Sequence, residues 1–134
     1  MLVCVKCWER KDDCKCNNIE YVEIDNRMYK AIKNLNLAGY KTIACCEGHT
    51  NYGIIQGYIL FQWDKDTQMF KDLPDNWQYD SYTYKKIKHY KYNIIRSIIP
   101  ESRKIKKLTT EQKQEIIDKN IMNLIRWTEK LSNK

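Results

Sequence analysis

Four cysteines open the chain in the pattern Cys4-x2-Cys7-x6-Cys14-x-Cys16. Zinc takes four soft ligands in a tetrahedron, and closely spaced cysteine pairs deliver them from tight turns. The Cys4/Cys7 pair has ordinary knuckle spacing, and the Cys14/Cys16 pair is tighter. Four thiolates leave no open position, so the expected cofactor is one structural zinc. Lys6, Arg10, Lys11 and Lys15 stand around the ligands and would offset the charge of a four-thiolate centre. The competing reading is four free thiols in an unstructured tail.

A second group of reactive residue types is Cys45-Cys46-Glu47-Gly48-His49-Thr50-Asn51, where a strand should end. Loops at strand ends are common ligand sites. Gly48 allows a tight turn with exposed N–H groups. His49 is suited to donate to a phosphate, exchange a proton or bind metal. Glu47 is suited to accept from a hydroxyl or an amine. Three chemistries compete: a Cys46–His49 nucleophile pair, a metal site lacking further partners, and a non-covalent binding loop. A packed strand end with a surface His49 is the fourth possibility. The binding loop is favoured, with Arg96, Arg126 and Trp127 as further ligand contacts.

Residues 82–107 carry nine basic side chains (Lys85, Lys86, Lys88, Lys91, Arg96, Arg103, Lys104, Lys106, Lys107) against one acid, Glu101. Tyr82, Tyr84, Tyr90 and Tyr92 lie among them. Basic groups neutralise phosphates and aromatic faces stack on bases. A solvated edge strand protected by lysines explains the same composition. The whole chain has formal charge +7, which favours anionic partners without choosing among them.

These residues need a scaffold, and 134 residues suffice for one domain that buries its own core. Residues 1–18 are poor in aliphatic side chains and form the expected knuckle, packed on a single α+β domain over 19–134. Ile19–Ile24 alternates as a strand. Asp25 is placed to cap a helix carrying Met28, Ala31, Ile32 and Leu35, and Gly39 to end it. Lys41–Cys46 reads as a short buried strand and Tyr58–Trp63 as a clear one. Pro74 marks a turn, and Trp77 is expected to cover the core. Residues 82–99 read as extended up to Pro100. Thr109 with Gln112 fits a capping box. Ile117, Ile121, Leu124 and Thr128 share one stripe of the helix that follows, joined by Ile125 and Leu131, with Trp127 at its edge. The expected architecture is a zinc knuckle and a small, mainly antiparallel sheet covered by a central helix and a long C-terminal helix.

The four-cysteine start, the run Asn34-Leu35-Asn36-Leu37-Ala38-Gly39-Tyr40-Lys41-Thr42, the loop Cys46-Glu47-Gly48-His49 and the strand Tyr58-Ile59-Leu60-Phe61 together resemble a family of small proteins of Gram-positive bacteria and their phages. That family combines a cysteine knuckle, an LN-x-x-GYKT segment, a CSGH loop and a YI-x-F strand. The likeness covers the first half of the chain well and the C-terminal helix more loosely. Glu47 stands where the family prefers serine, which changes the loop's donors and charge. The loop is also faintly similar to a wybutosine-synthesis protein family, over too short a stretch to carry a methyltransferase assignment. The first resemblance implies a phage or mobile-element origin and brings no activity with it.

The expected function is capture of a small anionic, nucleotide-like ligand. In a phage, that could mean sequestering a nucleotide signal of host immunity. The alternatives are a zinc-containing nucleic-acid-binding module and a protein-binding inhibitor of a host factor. The lack of a paired acid/base set or a phosphate-binding glycine motif weighs against an enzyme. No apolar run reaches the ~18 residues of a membrane span, and no signal-peptide core follows Met1. The expected location is therefore the cytoplasm, a host's if the protein is phage-encoded, with no membrane partner. Trp8, Trp63 and Trp77 are candidates for a homodimer interface.

Overall fold

A computed structural model of the chain describes residues 1–17, 19–50, 55–63, 65, 67–80, 86–87 and 90–131, with the backbone alone at 86, 87, 90 and 91. Asn51, Tyr82, Tyr84, Lys85 and Lys88, and the side chains of Lys86, Tyr90 and Lys91, therefore lie outside the description. The order is β1 (Leu2–Cys4), β2 (Tyr21–Glu23), α1 (Tyr29–Leu37), β3 (Thr42–Cys46), β4 (Tyr58–Gln62), β5 (Trp77–Tyr79), β6 (Lys86–Ile87), β7 (Tyr90–Ser97), α2 (Ser102–Ile105) and α3 (Thr110–Glu129). The α+β expectation, with two helices over a small antiparallel sheet, is met.

Helix α1 ends as its sequence predicts. Gly39 takes φ +96°, and the N–H groups of Gly39 and Tyr40 donate to the carbonyls of Asn36 and Leu35, at 3.0 and 2.9 Å. That pair of bonds is a Schellman close, and the left-handed residue it needs is most easily glycine. Helix α3 begins with both bonds of a capping box. The Gln112 N–H donates to Thr109 Oγ1 at 3.1 Å, and the Thr109 N–H donates to Gln112 Oε1 at 2.9 Å.

The main sheet runs β3-β4-β7-β5, with β6 pairing the far end of β7, and every pair is antiparallel. Strand alternation sends Ile59, Phe61, Ile95 and Trp77 to one face. There they join Met28, Ala31, Ile32 and Leu35 of the α1 region and Ile117, Ile121 and Leu124 of α3 in one core. Three buried polar groups on this face are paired. Asn93 Oδ1 accepts from the Met69 N–H, Ser97 Oγ accepts from the Gly57 N–H, and Trp77 Nε1 donates to the Asn120 carbonyl. Such pairing removes the penalty of burying them.

Two local expectations are corrected. Lys41–Cys46 is not a buried strand: β3 is an edge strand, paired to β4 alone among the described residues, and Ile43 and Ala44 are exposed beside a register shift between Thr42 and Ala44. Asp25 precedes a short 3-10 turn, Asn26–Met28, but its side chain does not cap it. Its Oδ2 instead accepts from the Glu47 N–H at 3.0 Å, tying the entrance of α1 to the exit of β3.

The cysteine-rich segment is fastened by β1. Leu2, Val3 and Cys4 pair with Glu23, Val22 and Tyr21, and Val3 and Cys4 are fully buried. No described helix is long and apolar enough to cross a membrane.

Candidate metal centre and ligand face

The first four cysteines converge. Their four sulfurs lie within 4.8 Å of one another, and Cys7 Sγ and Cys14 Sγ are 3.7 Å apart. Sulfurs at 2.3 Å from a tetrahedral zinc are separated by about 3.75 Å. Cys4 Sγ accepts from the N–H groups of Lys6 and Cys7, and Cys14 Sγ from the N–H of Cys16. Trp8, directly after Cys7, takes φ +60°, and its N–H closes a turn on the Cys4 carbonyl at 2.9 Å. This left-handed residue is what lets the chain fold tightly around Cys4 and Cys7, and placing it on tryptophan rather than glycine costs about 1 kcal/mol.

The protons of the cluster are unevenly held. Burial works against a Cys4 thiolate, but the N–H groups of Cys7 and Lys6, with help from the Cys14 and Cys7 thiols, bring its pKa down to about 6. Cys16 is pushed up to about 12, by its hydrogen bond with Cys7, by burial and by Cys14. Such a set can coordinate a metal, and thiols release their protons when they bind one.

The second cysteine group divides between two faces. Cys45 opposes Ile59 and packs on the core. Burial and the Asp25 charge push its thiol up to about 12, so it is an inert packing residue. Cys46 points the other way, and the N–H of Gly48 donates to its Sγ at 3.4 Å. The His49 ring is exposed, with Nε2 3.5 Å from that sulfur. Gly48 is buried at φ +94°, and a Cβ there would stand 2.4 Å from the Ile55 carbonyl oxygen. Burial and the neighbouring Asp25 raise the pKa of Glu47, opposed by Arg27 and His49.

Of the predicted ligand residues, the sheet aligns some and separates others. Cys46 opposes Tyr58, and Tyr58 opposes Arg96. Directly opposed residues share a face, so all three form one row on the side of the sheet away from the helices. The Arg96 guanidinium lies over the Tyr58 ring, 5.3 Å from its centre, and Nε is ion-paired to Asp80, whose side chain is 8% exposed. Thr50 is half-buried beside His49. Arg126 and Trp127 lie elsewhere. The Asp118 charge on α3 reaches Glu47, and Arg126 follows two turns later, about 12 Å along the axis. Trp127 stacks its edge on Phe70 at 4.7 Å, and Nε1 donates to the Asp72 carbonyl. It is thus a packing residue.

Sequence reasoning missed Tyr58, read only as a strand residue, and Asp25, read as a cap. A groove of about 530 Å³ runs between the β1–β2 hairpin and the outer edge of β3, lined by Trp8, Val22, Ile24, Ile43 and Ala44 and rimmed by Glu20 and Glu23. Lys41 also lines it, against the two glutamates, and most of the remaining lining is apolar. Comparisons with protein-family models, with curated proteins and with solved structures gave no match.

Proposed function

We propose that the chain is a zinc-braced module that binds a small anionic, nucleotide-like ligand on the helix-free face of its main sheet, next to the Cys46–Thr50 loop. The observation that supports this most directly is the row Cys46–Tyr58–Arg96. An aromatic face and a guanidinium held in register form a stacking surface beside a phosphate donor. Asp80 engages Nε of Arg96 and so orients the guanidinium. Tyr92, half-buried on the same face opposite Gln62, extends the surface. In this proposal Cys4, Cys7, Cys14 and Cys16 hold zinc as a brace and take no part in binding.

Native mass spectrometry with mononucleotides, cyclic dinucleotides and short oligonucleotides tests it. One small nucleotide per chain or per dimer is expected, weakened at least tenfold by Arg96→Gln or Tyr58→Ala. Uptake of oligonucleotides alone, with a steep salt dependence, would favour the nucleic-acid alternative. Binding that neither variant alters would sink the ligand face. Cys7→Ser should lower zinc content without changing the row on the sheet.

A second reading has one observation in its favour. Strand β3 leaves an edge open along the apolar groove, with Ile43 47% exposed. An added strand from a protein partner would cover both. Charged substitution of Ile43 would then abolish partner binding and leave nucleotide binding intact.

A further inference from the structure

Three chemically distinct donors meet at the exit of β3. The ligand atoms of Asp25, Cys46 and His49 all lie within 4.8 Å of one another. Asp25 comes from the entrance of α1, Cys46 from the last position of β3, and His49 from the loop that follows. Asp25 stands 21 positions before Cys46, so no local pattern ties the two.

We propose that Asp25, Cys46 and His49 form a second metal site, a three-ligand zinc site whose fourth position is open to solvent or to an anionic oxygen donor. Four observations carry it. The Sγ–Nε2 separation of 3.5 Å matches the edge of a tetrahedron with zinc about 2.3 Å from sulfur and about 2.05 Å from nitrogen, roughly 3.6 Å. The Cys46 sulfur accepts from the N–H two residues on, as the sulfurs of Cys4 and Cys14 do in the first cluster. The Asp25 carboxylate is already oriented, since Oδ2 accepts from the Glu47 N–H. Such outer contacts fix first ligands in productive orientations. Glu47, between the two loop ligands, buries Oε2 with no hydrogen-bond partner among the described residues, and a metal-bound water is the kind of donor such an oxygen needs.

The chemistry of the set selects the metal. One thiolate, one imidazole and one carboxylate suit a borderline cation such as zinc, not magnesium or calcium, which take oxygen alone. Three protein ligands are the number found where a metal keeps a position for water or substrate. His49 is exposed, so that position is reachable from solvent. It lies at the end of the row Cys46–Tyr58–Arg96. A ligand stacked on Tyr58 could place an oxygen on the metal, and that last step alone rests on the ligand face proposed above.

The test counts metal in the full-length protein without nucleotide, so its failure is separate from failure of the nucleotide reading. Purified protein is saturated with zinc, passed through a desalting column and measured by native mass spectrometry. Two zinc ions per chain are expected, with loss of one in His49→Ala and in Asp25→Asn. Asparagine keeps an oxygen to accept the Glu47 N–H, and His49 is exposed, so both variants should fold. Cobalt substitution provides a spectroscopic check. The variants should lose the visible bands of a mixed sulfur–nitrogen–oxygen site and keep those of a four-thiolate site. A single zinc in the parent protein that both variants retain would overturn the proposal. So would two zinc ions unaffected by either substitution.

Discussion

Gly48 shows how closely the candidate loop is built. Its φ of +94° lies where side chains are strained, and an added Cβ would meet the Ile55 backbone. Neither atom belongs to a flexible side chain, so the clash is relieved only by moving the loop. Gly48→Ala is expected to cost roughly 1–3 kcal/mol of stability and to break the N–H bond to Cys46 Sγ. Urea denaturation would measure the first effect, and the reactivity of Cys46 toward a thiol reagent the second. Unchanged stability would mean that the loop is not held as described. The glycine was legible in the sequence as a turn former, because that property is local. Asp25 was not: residues around it favour a cap, and its partner, the Glu47 N–H, lies 22 positions away.

At the scale of elements, the same division between local and distant signals decides what could be read. Helix α3 was legible at both its start and its buried stripe. Thr109 and Gln112 are three residues apart, and Ile117, Ile121, Leu124 and Thr128 recur at helical spacing, all buried. Thr109→Ala should therefore cost about 1 kcal/mol and lower the thermal midpoint by a few degrees. A Thr109→Ser variant, which keeps the oxygen, should restore most of it. Equal losses in both would place the effect outside the cap. Strand β5 was not legible. Trp77–Tyr79 is three residues long, follows a turn in which Asn76 takes φ +65°, and exists because β7 offers it a partner. Strand β3 was found, but its burial was not, since edge position depends on strand order.

The whole molecule joins two structures of different dependence on metal. The main sheet and its helices share a core with apolar residues from several elements and paired polar groups inside it. The β1–β2 hairpin has three residue pairs and a cysteine cluster. Two strands alone are marginal in water, and the hairpin's inward anchors are few, chiefly Val3 and Ile24. If zinc braces the four cysteines, its removal should act first on the hairpin and only afterwards on the sheet. Hydrogen exchange before and after chelation would show this. Amides of Cys4, Val5 and Trp8, which bond within this segment or to Glu20, should lose protection. Amides of Ile59 and Ile95 should keep theirs, because the pairing of β4 with β7 does not pass through the cysteines. Equal loss at both places would mean that the hairpin, through Val3, carries the core with it. No change at either would mean that hydrogen bonds and packing hold the segment without metal.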